Sequence, residues 1–248
     1  MRIRVMSWNI HRAIGMDRRF RPERVAAVIR HHDPDLLLLQ EVDRGVPRSR
    51  RLWLDHWLAR ETGYPYHAWA QAHVLQEGSY GNATLSRLPI RRRRHLDLRI
   101  GRRKRRNALY TRLQLPGRHG ALHVFNWHLG LARGERRQQV QRLLATGTIR
   151  SLPARARVIL GGDSNDWRNR LFPSLLQPAG FHAWSESGRR RHILTYPSTR
   201  PVGALDKIFW RGPLGHEHIH ASRLRLARVA SDHLPLVAEF ELLPEAAG

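Results

Sequence analysis

The stretch VILGGDSN, Val158 to Asn165, joins an apolar run to two glycines and then to an aspartate and an asparagine. Strands buried on both faces read as continuous apolar runs, and sites are commonly built where such strands end. Gly161 and Gly162 allow a sharp turn or a close backbone approach, which would aim Asp163 and Asn165 into one cleft. Taken alone, the stretch also fits a strand followed by an Asx-turn. The rest of the chain decides between these readings, because the same design occurs twice. Near the start, Ile3–Asn9 reads as a strand, Arg21–Asp33 as an amphipathic helix and Asp35–Val42 as a buried strand. In the second half, Ala121–His128, Gly134–Arg150 and Arg157–Asn165 repeat strand, helix and strand. GNATLSRLPI (Gly81–Ile90), NALYTRLQL, ALDKIFW and DHLPLVAEF alternate like further strands. This pattern predicts an α/β fold of two packed mixed sheets with helices on the outer faces. No linker composition interrupts it, and residues 113–120 read as a hairpin turn, so residues 1–248 are expected to form one domain.

Composition narrows the chemistry. The chain has no cysteine, so disulfides, thiolate metal sites and cysteine nucleophiles are excluded. Its 44 basic residues outnumber 20 acidic ones and give a formal charge of +24, which implies attraction to polyanions such as nucleic acid. Only Lys104 and Lys207 are lysines, so codon usage accounts for part of the arginine content, but not for the scarcity of carboxylates. Two basic clusters stand out, Arg91–Arg94 and Arg102–Arg106. No apolar run approaches the roughly 18 residues of a membrane span, and the N-terminus enters a strand without a signal-like segment. A cytoplasmic location is expected on those grounds.

The polar residues at the ends of apolar runs are Asn9, His11, Glu41, Asn82, His128, Asp163, Asn165, Asp206, Asp232 and His233. Carboxylates, carboxamides and imidazoles dominate, with no paired serine nucleophile, Walker loop or HExxH helix. This inventory fits attack by water. Glu41, Asp232 and Asn9 offer hard oxygen ligands for Mg²⁺ or Mn²⁺, whereas no histidine pair has the helical spacing of a zinc site. The alternate histidines His216, His218 and His220 read as surface residues able to collect a metal only if they share a strand face.

WNIH, LLQEVD, GNATLSRLPI, NWHLG, GGDSND, LDKIFW and SDHLPL follow one another in an order that resembles the endonuclease/exonuclease/phosphatase superfamily, the fold of pancreatic-type deoxyribonuclease. The resemblance runs from Asn9 to His233. It implies a four-layer α/β/β/α sandwich and divalent-metal-dependent cleavage of a phosphate ester by activated water. On the matching positions, Glu41 would hold the metal with Asn9 and Asp232. His233, oriented by Asp206, would be the base, while Asp163 and Asn165 would position water or phosphate. His128 would donate to the phosphate oxygens, and Arg106, Asn82 and His11 would contact substrate phosphate. His11 stands where the abasic-site repair nucleases carry an acid, and Asn82 stands where a carboxylate partner of His128 is expected. Because the superfamily spans nucleases, inositol-phosphate phosphatases, sphingomyelinases and deadenylases, charge selects the expected substrate: nucleic acid, DNA foremost, with little base preference. IHRAIG and HLGLARGERRQQ also resemble a bacterial subgroup found beside cardiolipin synthases. That likeness implies a phospholipid headgroup and a membrane surface as the alternative. A basic DNA-binding scaffold without activity is a third reading, disfavoured by the intact residue set.

Overall fold

The computed structural model describes residues 1–117, 120–184 and 192–244; residues 118 and 119 of the expected turn lie outside them. The strands are β1 (Arg2–Asn9), β2 (Leu36–Arg44), β3 (Tyr66–Val74), β4 (Ser79–Ser86), β5 (Ile90–Asp97) and β6 (Asn107–Gln114). They continue as β7 (Ala121–His128), β8 (Arg157–Asp163), β9 (His182–Ala183), β10 (Asp206–Arg211), β11 (Leu214–Ala221) and β12 (Leu236–Leu242). The helices are α1 (Pro22–His32), α2 (Leu54–Thr62), α3 (Arg133–Leu144), α4 (Gly147–Arg150) and α5 (Arg225–Ala230). They flank two six-stranded sheets, ordered β11-β12-β1-β2-β4-β3 and β5-β6-β7-β8-β10-β9. Each sheet has one parallel pair, β1 with β2 and β7 with β8, joined by the helical crossovers read from the sequence.

Three apolar layers follow from strand alternation. Ile3, Val5, Leu36 and Leu38 of the first sheet meet Leu122, Val124, Ile159 and Ile208 of the second, so the sheets pack face to face. The opposite face of β1 and β2, through Met6, Trp8, Leu37 and Leu39, packs on α1, α2 and α5. Phe125, Trp127 and Leu160 face Val140 and Leu143 of α3. The result is the expected α/β sandwich. One helix departs from expectation: Gly134–Arg150 is two helices, because Thr146 takes a β-region conformation and its side chain accepts from Ile149 N, capping a new turn.

The two glycines of VILGGDSN have separate tasks. A Cβ on Gly161 would come within 2.9 Å of Leu38 Cδ1 in the opposing sheet. Gly162, at φ +135°, lies so near β7 that a Cβ would stand 2.0 Å from the Trp127 carbonyl oxygen. Both close approaches draw the end of β8 inward and set Asp163 beside His128 in register. Among the described residues no helix is long and apolar enough to cross a membrane.

Candidate active site

The site lies where the two parallel strand pairs end. Asp163 is 2% exposed and forms its centre. Its Oδ2 accepts from Asn9 Nδ2 at 3.1 Å and lies 3.3 Å from His128 Nε2 and 3.8 Å from His233 Nε2. Its Oδ1 accepts from the backbone N–H of Asn165 at 2.9 Å. Asn165 occupies the left-handed region, φ 50°, which asparagine tolerates, and its Nδ2 donates to the Leu129 carbonyl. His233 is fixed from behind by Asp206 Oδ2, 2.8 Å from its Nδ1, and by its own carbonyl accepting from Trp8 Nε1 at 2.8 Å. Asp206 is itself placed by pairing across from Asp163 in the β8–β10 ladder.

Burial and neighbouring charge set three unusual protonation equilibria here. Burial raises Asp163 to about 6, with nearby Asp206 adding to the effect and His233 opposing it. Burial disfavours a charged His233, yet Asp206 and Asp163 outweigh it and raise the imidazole to about 10. His128 has no such compensation: burial, then the positive charge of Arg106, keep it well below the usual histidine range. Two imidazoles on one carboxylate are thereby held in opposite charge states at neutral pH.

Glu41 reaches the site by a different device. Between Leu39 and Val42, β2 carries one residue more than β4, and Glu41 takes φ 56° in this bulge. The bulge turns its carboxylate toward Arg12, with Nε to Oε2 at 3.1 Å. Arg12 belongs to three consecutive non-glycine residues in the left-handed region, His11, Arg12 and Ala13. A strained run of this kind clusters at functional sites. Beside it, Ser231 Oγ donates to the Asn9 carbonyl at 2.7 Å and lies 3.3 Å from Asp232 Oδ1, tying Asp232 to the end of β1. Among the described residues no three His, Asp or Glu side chains converge to hold an ion by themselves. The donors Glu41, Asp232 and Asn9 nevertheless fit a hard cation that keeps several waters and needs only one or two carboxylates.

The remaining expected residues occupy distinct positions. Of Arg102–Arg106 only Arg106 is buried, 6% exposed, and its Nε and Nη1 have no hydrogen-bond partner among the described residues. Asn82 is committed to the interior: its Nδ2 donates to Asn107 Oδ1 at 2.8 Å. It belongs to a carboxamide belt across the two sheets, in which Gln40 Nε2 donates to Asn126 Oδ1 and Asn126 Nδ2 to the Ala83 carbonyl. His11 is turned into its own loop, with Nδ1 2.9 Å from the Ile14 carbonyl and its N–H donated to Asn9 Oδ1. Sequence reading missed Arg12, Ser231 and Tyr196, whose ring centroid lies 4.8 Å from that of His233. It also missed the belt residues Gln40 and Asn107, although Asn126 at the end of an apolar run was a visible signal.

The profile of the Endonuclease/Exonuclease/phosphatase family matches residues 6–233, a span that opens just before Asn9 and closes on His233. The chain belongs to the endonuclease/exonuclease/phosphatase family. Members of this family are generally hydrolases of phosphoesters. A relative of the same length class, the uncharacterized protein YbhP of Escherichia coli (strain K12), is 31% identical over 247 residues, 96% of each chain. Among solved structures, an endonuclease/exonuclease/phosphatase from Beutenbergia cavernae superposes with a TM-score of 0.79 at 24% identity, covering 97% of this chain and 72% of that one. TDP2 of D. rerio, complexed with single strand DNA product, gives a TM-score of 0.74 at 20% identity over 97% and 99% of the two chains. Both structures share the family's sandwich.

Proposed function

We propose that this protein is a divalent-metal-dependent phosphodiester hydrolase acting on nucleic acid, with DNA as its principal substrate and little base preference. The observation that carries the reading is the single oxygen Asp163 Oδ2, approached by Asn9, His128 and His233, with Asp206 fixing His233 from behind. A carboxylate only accepts protons and hydrogen bonds, and His233 Nε2 faces it across 3.8 Å, too long for a direct bond and suited to a water between them. With His233 already protonated at neutral pH and able only to donate, Asp163 is the proton acceptor for the attacking water and His233 orients that water. Water oxygen bonds to phosphorus as the ester P–O bond breaks, the water's proton passes to Asp163, and the leaving oxygen is protonated from solvent. His128, uncharged, donates a hydrogen bond to a phosphoryl oxygen, and the unpartnered buried guanidinium of Arg106 offsets its charge. Glu41, Asp232 and Asn9 would hold Mg²⁺ or Mn²⁺, which supplies Lewis-acid stabilisation of the phosphate.

The net charge of +24 supports nucleic acid as the phosphate carrier, as does the TDP2 neighbour bound to a DNA product. A phospholipid diester is the second reading. It is favoured by a cavity of about 290 Å³ beside Asp206, lined by Phe172, Phe209, Ile219 and Leu236. Supercoiled plasmid, single-stranded DNA, RNA and phospholipid vesicles, each incubated with Mg²⁺ or EDTA, separate the two. Metal-dependent nicking of DNA is expected; vesicle hydrolysis without DNA cleavage would overturn the nuclease reading.

A further inference from the structure

The first turn of α3 runs against the electrostatics of helices. N-terminal N–H groups carry partial positive charge and favour anions, and like charges four residues apart repel. Yet Arg133 and Arg136 stand in this turn with Arg137 directly after it, and Ala132 contributes no side-chain cap. The turn's acidic residue, Glu135, is drawn away from them: its carboxylate covers Gly130, where a Cβ would meet Glu135 Cδ at 2.2 Å, and accepts from Gln139 Nε2.

Across a cavity of about 270 Å³ from this turn lies the segment that follows Asp166, and it adds Arg170 to the lining. Arg133, Arg137 and Arg170 are exposed and hold no side-chain hydrogen bond or ion pair among the described residues. Arg136 is different. It is 7% exposed, its Nη1 donates to the Leu131 carbonyl, and its buried Nε has no hydrogen-bond partner among the described residues. Among the described residues the one carboxylate lining the cavity is Asp166, whose Oδ2 accepts from the backbone N–H of Leu171 at 2.8 Å. Four guanidiniums and a helix end without a side-chain cap thus surround a space into which, among the described residues, one carboxylate, Asp166, contributes opposing charge.

We propose that this cavity binds a second phosphate of the nucleic-acid strand whose scissile phosphate lies at Asp163. The inference rests on the phosphodiesterase reading of that site and adds a position to it. Guanidinium groups and free helix N–H donors are the groups that bind phosphate oxygens. Asp166 is three residues beyond Asp163, a reach of at most about 11 Å, which a strand spans within a few nucleotides. The bound phosphate is a near neighbour of the cleaved one, and the charge that destabilises the free helix end becomes complementary once the strand is seated.

The test is the triple variant Arg133→Ala, Arg137→Ala, Arg170→Ala, with Arg136 kept because it braces Leu131. For a single-stranded oligonucleotide, KM is expected to rise at least about 10-fold, with the salt slope of binding falling by about 0.7 for each phosphate that the variant no longer neutralises. For bis(p-nitrophenyl) phosphate, which has one phosphate, kcat/KM should change less than about two-fold, since no catalytic group is altered. An unchanged oligonucleotide KM, or an equal loss on both substrates, overturns the proposal. Calorimetry with inorganic pyrophosphate reads the cavity without turnover, and at least about 10-fold weaker binding by the variant is expected. Equal pyrophosphate binding sinks the proposal even where DNA is cleaved, whereas a retained difference without any DNA cleavage counts against the nuclease reading. Vesicle hydrolysis that alone responds to the substitutions would replace the strand by a lipid.

Discussion

The two sheets are built to one topological plan and carry different chemistry at matching positions. Exchange β5 and β6 for β11 and β12, β7 and β8 for β1 and β2, and β10 and β9 for β4 and β3, and one strand order becomes the other. Asn9 ends β1 as His128 ends β7, whereas Glu41 and Asn82 stand inside β2 and β4, the strands that correspond to those ended by Asp163 and begun by Asp206. In the first sheet a bulge turns Glu41 outward to a guanidinium and leaves its side chain 20% exposed. In the second, Gly162 lets β8 run on without a bulge, and Asp163 stays buried among proton donors. The same carboxylate chemistry is thereby divided. A partly solvated carboxylate facing a cation stays ionised and accessible, whereas burial raises the second toward its protonated form against the opposing effect of its N–H donors.

Breaking the second half should cost most. Asp163→Asn removes the shared acceptor and is expected to lower kcat by about 10³-fold or more, at the strong end of general-base losses, with the fold intact by circular dichroism. Gly162→Ala tests the backbone device that distinguishes this half. The clash with the Trp127 carbonyl should destabilise the protein by a few kcal/mol, read as a fall in the urea midpoint. Glu41→Gln weakens the first half, and the Mg²⁺ concentration for half-maximal activity should rise at least about 10-fold, since even residues that only brace a metal ligand cost that much when changed.

Protonation sharpens the same contrast. A histidine whose folded value is about 10 binds its proton more tightly in the folded than in the unfolded chain. Its stabilisation is complete below about pH 6.5 and is lost as pH rises toward 10. Asp163, raised to about 6, likewise favours the folded state when protonated, an advantage lost between about pH 4 and 6. Thermal unfolding in EDTA should therefore show a Tm that falls between pH 7 and 10, and Asp206→Asn should flatten that slope. The smallest effect is expected at Arg12, which competes with a cation for Glu41. Arg12→Ala should tighten Mg²⁺ binding only a few-fold, the scale of one partly solvated ion pair.

Much of this division could be read in the chain itself. β1, β2, β7 and β8 announce themselves as buried apolar runs, and the candidate residues Asn9, Glu41, His128 and Asp163 stand at or near their ends. β3 did not, because its inward positions Ala68, Ala70 and Ala72 give too weak an apolar signal. β11 was obscured by His216, His218 and His220, which a bulge after His216 displaces from simple alternation. At the site, Asp163, His128, Asp206 and His233 follow from motif and strand end, whereas Arg12 meets Glu41 only through a left-handed run of ordinary residues, for which sequence holds no marker. Nor does periodicity distinguish a carboxamide facing the interior, like Asn82, from one facing a ligand.

The division of labour is tested most directly by titrating Mg²⁺ against hydrolysis of bis(p-nitrophenyl) phosphate by the Glu41→Gln and Asp163→Asn variants side by side. If Glu41 holds the cation and Asp163 takes the proton, the first variant regains activity as Mg²⁺ is raised and the second stays low at every concentration. Recovery of Asp163→Asn by added Mg²⁺, or activity in either variant that is indifferent to the metal, would contradict the account.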